Sequence, residues 1–268
     1  MGGAGVSERL ISMGKRAAGA FAATVGVLVV CGLILGLVEN KATAFLTSVF
    51  GWGGIVATGL VGTPIHELGH FLLAKLFGFH VTDVALFRPI AGKADGVLGY
   101  VSYTYDKSSL WQQLGCFFVG IAPMILGVLA ILLLLRLLTP EAFHGAKGRI
   151  ERSHGTGERL RGAFTGFWSG IGRLRGWGIL RGVICLYLVF SISTHMTLSL
   201  ADLRGAAVGL VVVAALCILF GVVTELLRLD VVPTLQTTAV TLASFFSVGI
   251  VFAALALGVF GVLSILLK

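Results

Sequence analysis

Six stretches of this chain run for at least about twenty residues without a lysine, arginine, aspartate or glutamate: 17–38, 42–65, 108–135, 182–201, 205–224 and 231–267. An α-helix needs about 20 apolar residues to cross a bilayer. The pattern therefore predicts an all-α polytopic membrane protein with about six transmembrane helices. Crossings are expected at 17–38 and at 53–77. The final run is long for one crossing and barely long enough for two. The first run follows Arg9, Lys15 and Arg16, and Ala42-Thr43-Ala44 offers a small-residue cleavage site. A signal-peptide core is only about 7–15 residues long, so an uncleaved first helix is expected.

Two polar segments interrupt the apolar pattern. Residues 78–109 carry Asp83, Arg88, Pro89, Lys93, Asp95 and Asp106, with Asp95-Gly96 as a turn signal. The β-branched and aromatic run 97–105 then predicts a strand, one arm of a small membrane-associated β-hairpin. Residues 139–178 are rich in glycine and arginine, with aromatics interleaved. They read either as an interfacial helix on anionic headgroups or as a solvated loop. The whole of 1–268 reads as one membrane-embedded domain, with a core at about 55–205 and accessory helices at 17–38 and 205–267.

Composition agrees: 57% of residues are hydrophobic and 12% charged, too little charge to cover a soluble surface. The net charge of +8 does not imply nucleic acid, because the basic residues fall between apolar runs, where lipid headgroups compete for them. Cys31, Cys116, Cys185 and Cys217 all lie inside apolar runs without pairing signals and read as small buried hydrophobes.

The chemistry concentrates in His66-Glu67-Leu68-Gly69-His70. Histidines at i and i+4 share one helix face and can bind one ion. Glu67, beside them, is placed to accept a proton without being a ligand. A carboxylate at mid-membrane costs about 2.5–3.5 kcal/mol, taking aspartate as the guide, and ionisable groups at such depth mark functional sites. Gly69 would allow close approach of another helix. Catalytic zinc takes three protein ligands, so a third is needed. Asp202, after a fully uncharged run, is the favoured candidate. His195 reads first as a donor to an oxyanion, then as a core histidine, then as a ligand. Glu225 reads as an interfacial ion pair with Arg228. His80, His144 and His154 fall in polar segments and read as solvated.

These residues resemble the site-2 protease family of intramembrane zinc metalloproteases. The resemblance covers about 55–205. It rests on the His66–His70 motif in a membrane helix, the β-rich segment after it, Gly120-Ile121-Ala122-Pro123, and a membrane segment ending in an aspartate. Where the family carries Asn-Pro leading to Leu-Asp-Gly, this chain has Thr194-His195, no proline, and Asp202 followed by Leu203, with glycine at 205. The resemblance implies Zn2+ bound by His66, His70 and Asp202, with Glu67 as general base and His195 or Thr194 assisting the oxyanion. The implied substrate is a membrane-anchored protein. The implied location is the cell membrane, with the N-terminus, 78–109 and the active-site opening cytoplasmic and 139–178 outside. Two other functions fit the same His/Glu/Asp cluster: ion translocation, and a non-catalytic membrane scaffold.

Overall fold

The computed structural model describes residues 3–152 and 156–267. Among these, four helices are long and apolar enough to cross a membrane: Ser7–Leu76, Leu110–Leu138, Leu200–Leu226 and Val232–Leu266. A shorter apolar helix spans Trp177–Ser193. The elements in order are α1 (Gly3–Phe21), a π-helical turn (Ala22–Gly26), α2 (Val27–Leu76), β1 (His80–Ala85), α3 (Gly92–Asp95), β2 (Tyr100–Thr104), α4 (Leu110–Leu138), α5 (Pro140–Glu151), α6 (Thr156–Ile171), α7 (Trp177–Ser193), α8 (Leu200–Leu226) and α9 (Val232–Leu266).

The helix count departs from the expectation of about six because 17–38 and 53–77 fall within one helical stretch, whose α2 part folds on itself, and because α7 has only 17 residues. A straight helix of 50 residues would be about 75 Å long. Gly51 breaks it, with φ 57° and ψ −147°, a region open essentially only to glycine. A Cβ placed on Gly54 would lie 3.1 Å from the Leu46 side chain, although the two are more than two turns apart in sequence. The chain therefore reverses at Gly51, and the arms 27–50 and 52–76 lie side by side. The polar stretch Glu39-Asn40-Lys41 does not separate two crossings, as the charge pattern suggests. It sits inside the first arm, with Glu39 only 2% exposed.

Small residues let the helices meet. A Cβ on Gly69 would lie 3.1 Å from the Ala122 backbone of α4, and one on Gly62 would collide with the Ser191 carbonyl oxygen of α7. In lipid such close backbone approach, with the dispersion contacts it brings, replaces hydrophobic drive. Ser191 adds a polar joint. Its hydroxyl accepts from Gly62 N–H at 2.9 Å and donates to the Thr58 carbonyl, so it is spliced into the ladder of α2. Around this joint Leu35, Met124, Val128, Ile131, Val189, Ile192 and Met196 form the buried core.

The expected hairpin is present. β1 and β2 pair antiparallel from His80↔Thr104 to Ala85↔Tyr100, with an irregularity between Val81 and Asp83. Its open end packs Phe79 on Tyr103 and Tyr105, beside Phe77 at the end of α2. Its tip is tied to the start of the second arm, where Trp52 Nε1–H donates to the Pro89 carbonyl at 3.1 Å. The hairpin thus runs back along the whole second arm, so 78–109 is not confined to one end of the bundle. At the tip the Val97 N–H, together with the Arg88 guanidinium, holds the Asp95 carboxyl below its usual range.

The segment 139–178 is largely helical, not a loop. α5 and α6 pack backbone to backbone: a Cβ on Gly145 would lie 2.6 Å from the Gly166 carbonyl oxygen. Glycines that read as loop composition serve instead as a packing surface. All four cysteines are free thiols.

Candidate metal centre

Two helices bring three side chains to one point. The second arm of α2 carries His66 and His70, and the first turn of α8 carries Asp202. His70 Nε2 lies 3.2 Å from His66 Nε2 and 3.2 Å from Asp202 Oδ1. His66 Nε2 is 4.0 Å from Asp202 Oδ2. Among the described residues these three form the group of His, Cys, Asp and Glu side chains able to hold a metal ion, their ligand atoms all within 4.8 Å of one another.

The far side of each histidine is fixed by backbone. His66 Nδ1 lies 2.7 Å from the His195 carbonyl oxygen, and His70 Nδ1 lies 2.8 Å from that of Val119. A carbonyl only accepts, so both Nδ1 atoms carry the proton. In the neutral ring each Nε2 then presents a lone pair. Two lone pairs and a carboxylate point at one another, an arrangement that asks for a cation among them. Backbone or carboxylate support of the outer nitrogen is the usual companion of metal-ligating histidine.

Each support has a local cause. The Val119 carbonyl is free because position 123, four residues on, is a proline without an N–H. The Gly120–Pro123 motif therefore matters through the carbonyl that Pro123 releases. Gly120 also lets α8 approach, since a Cβ there would lie 2.7 Å from the Asp202 carbonyl oxygen. The His195 carbonyl is free because α7 ends at Ser193 and the chain is non-helical until Ser199. Asp202 is oriented by a capping box: Ser199 Oγ accepts from Asp202 N–H at 3.1 Å, and Ser199 N–H donates to Asp202 Oδ2 at 2.7 Å. This leaves Oδ1 toward His70.

Glu67 is buried and lines a cavity of about 250 Å³ with His66, Thr63, Leu98, Gly99, Thr194 and His195. Gly99, just before β2, sits against Glu67; a Cβ there would lie 2.8 Å from Glu67 Cγ. Thr63 Oγ1 is buried and has no hydrogen-bond partner among the described residues, a polar group left over beside Glu67.

His195 enters the centre through its backbone. Its ring Nδ1 lies 3.1 Å from the Ser191 carbonyl oxygen, so the Nε2 it presents in the neutral form is an acceptor. The Thr194 hydroxyl donates to the Phe190 carbonyl at 2.8 Å. Glu225 lies elsewhere, paired with Arg16 at 2.9 Å and with Ser12, not with Arg228 as its spacing suggested. His80 and His144 lie on β1 and α5, outside the metal group. His154 falls outside the described residues.

Two residues near the centre were not singled out by the sequence. Tyr103 on β2 reaches α8, its hydroxyl 3.7 Å from where a Gly205 Cβ would lie. Burial first, then the Asp202 carboxylate, pushes its phenol up to about 12, so it remains a neutral donor. Glu39 accepts from the N–H groups of Met196 at 3.0 Å and Thr197 at 2.6 Å. A carboxylate interrupting an apolar run was the available signal, and the run boundaries hid it. No family model matches this chain, and no curated protein or solved structure matches it.

Proposed function

We propose that this protein is an intramembrane zinc endopeptidase of the site-2 protease type, acting on a membrane-anchored protein. The observation that carries the reading is the convergence of His66 Nε2, His70 Nε2 and Asp202, with both Nδ1 protons committed to carbonyls. A tetrahedral zinc site with bonds of roughly 2.05 Å has ligand–ligand edges of about 3.3 Å. Two of the three measured separations, at 3.2 Å, match that edge. Three protein ligands with a fourth position open is the catalytic arrangement, whereas structural zinc sites are closed by four.

Zinc held there supplies Lewis acidity, making water a nucleophile near neutral pH and polarising a carbonyl. The chain's own groups do the rest. The Glu67 carboxylate takes a proton from water and returns it to the departing amine. The Tyr103 hydroxyl is a neutral donor on the Asp202 side. The two-stranded sheet leaves each strand one free edge, beside Glu67 at Gly99. A substrate opened from helix to extended chain can add to that edge, exposing its carbonyls to attack. In this reading the two arms of α2 cross the cell membrane separately, while α7 and α8 meet near the metal centre and share one traverse between them.

Purified protein is expected to hold about one zinc per chain. Glu67→Gln should keep the metal and lower cleavage of a transmembrane-helix substrate by about 100- to 10,000-fold, the usual weight of a general base. Unchanged cleavage would falsify the mechanism. Asp202→Ala should weaken zinc binding by more than the roughly 10–100-fold that loss of an outer hydrogen-bond partner brings; near wild-type affinity would remove Asp202 from the ligand set. Zinc retained by a wild-type protein that cleaves no membrane helix would favour the scaffold.

A further inference from the structure

Glu39 and His66 grip opposite ends of one peptide group. The carbonyl of the 195–196 peptide accepts from His66 Nδ1 at 2.7 Å. The N–H of that same peptide donates to Glu39 Oε1 at 3.0 Å, and the next N–H, of Thr197, donates to Oε2 at 2.6 Å. Glu39 is 2% exposed. None of these three hydrogen bonds is local: the first arm of α2 supplies the carboxylate, the second arm the imidazole, and the linker between α7 and α8 the peptide between them.

We propose that Glu39 is a positioning residue of the metal centre, acting on His66 through the 195–196 peptide. The inference rests on the metal-site reading above and names a further residue that serves it. The two hydrogen bonds that Glu39 accepts at the N–H end polarise the peptide and make its carbonyl a stronger acceptor, since hydrogen bonds in chains strengthen one another at low dielectric. A stronger acceptor draws on the Nδ1 proton and leaves more electron density at Nε2, the atom offered to the cation. Carboxylates support metal-bound histidine directly in many sites; here a single peptide group stands between them. The same clamp fixes the linker geometrically. Met196, one residue past the carbonyl, is 1% exposed and wedged against Gly127 and Gly249, so the peptide has little freedom to turn away once Glu39 holds its N–H. His70 lacks such a relay, because its partner carbonyl belongs to α4, and it is the control within the same molecule.

Glu39→Gln keeps the shape and sets an NH2 group against one of the two N–H donors. Two measurements on full-length protein in detergent test the relay. The first is Zn2+ affinity by chelator competition, expected to fall by about tenfold or more. The second is 15N NMR of histidine-labelled, metal-free protein: the His66 Nδ1 resonance should shift and that of His70 should stay. Glu39→Asp keeps both acceptor oxygens but withdraws them by one methylene. It should shift His66 in the same direction by less, at wild-type helix content, which covers the case in which Glu39→Gln folds poorly. Unchanged zinc affinity with an unmoved His66 signal would overturn the proposal. So would equal shifts at both histidines, which mark general loosening. A wild-type protein that takes up no zinc would instead sink the metal centre, and the two ring signals would still report whether Glu39 acts on His66.

Discussion

At the scale of single residues, the centre depends on carbonyls as much as on side chains. His66, Glu67, His70 and Asp202 were legible from spacing and from the cost of charge in an apolar run, because those signals are written in residue type. The carbonyls of Val119 and His195 were not, because any residue supplies one. What frees them is local: a proline at 123 and a helix end at 193. The first cause is testable. Pro123→Ala restores an N–H four residues beyond Val119, which can then close an ordinary helical hydrogen bond to the carbonyl that now accepts from His70 at 2.8 Å. The variant should keep its helix content and lose zinc affinity by roughly tenfold, the lower end of outer-partner effects. Unaltered affinity by chelator competition would mean that the Val119 carbonyl serves both donors and that Pro123 matters only for packing. Glu39 was missed for another reason. Read along the chain, a carboxylate between two apolar runs marks a loop. It became visible as a buried group only once Gly51, not Glu39, proved to be the reversal.

At the scale of elements, periodicity located most of the helices and the hairpin but misread how they join. Hydropathy reports which residues avoid water; it says nothing about direction, so one reversed helix and two separate ones look alike. The reversal is carried by one backbone conformation at Gly51. Gly51→Ala places a Cβ in a region that non-glycine residues occupy at about 1–3 kcal/mol, and its thermal midpoint should fall accordingly. Gly53→Ala is the matched control. It lies two residues away within the helix, with nothing within 4 Å of an added Cβ, and alanine is the better helix former by about 1 kcal/mol. Equal midpoints for the two variants would show that the turn tolerates other conformations. The 139–178 segment read as either an interfacial helix or a solvated loop because glycine has two uses. Glycine-rich composition suggested a loop, yet Gly145 and Gly166 bring α5 and α6 into backbone contact, which composition cannot distinguish from turn-making.

For the whole molecule, the contacts order the ends of the bundle. Gly221 of α8 meets Met13 and Ala17 of α1, and Phe77 lies in one cluster with Cys116 of α4. Gly51 and the hairpin tip lie at the other end of the two arms, the end toward which α4 runs into α5. Between Arg16 and Arg152 the chain traverses the bundle three times: the first arm, the second arm and α4. Reporters fused at the N-terminus and after Arg152 should therefore read opposite compartments in a cell. A cysteine replacing Lys93 at the hairpin tip should be labelled by an impermeant thiol reagent from the Arg152 side, although its neighbours in sequence at 78–79 belong to the other end. This regrouping also alters the charge balance. With 78–109 on one side, the basic residues give similar totals on the two sides; with the tip reassigned, Arg88 and Lys93 join Lys147, Arg149, Arg152, Arg173 and Arg175. The positive-inside tendency then favours a cytosolic α5–α6 end, against the orientation that the family resemblance implies, and a cytosolic reading after Arg152 would select the charge rule. Either orientation keeps the two reporters apart. Both reading the same compartment would mean that the arms of α2 do not cross separately, and the arrangement proposed above would fall with them.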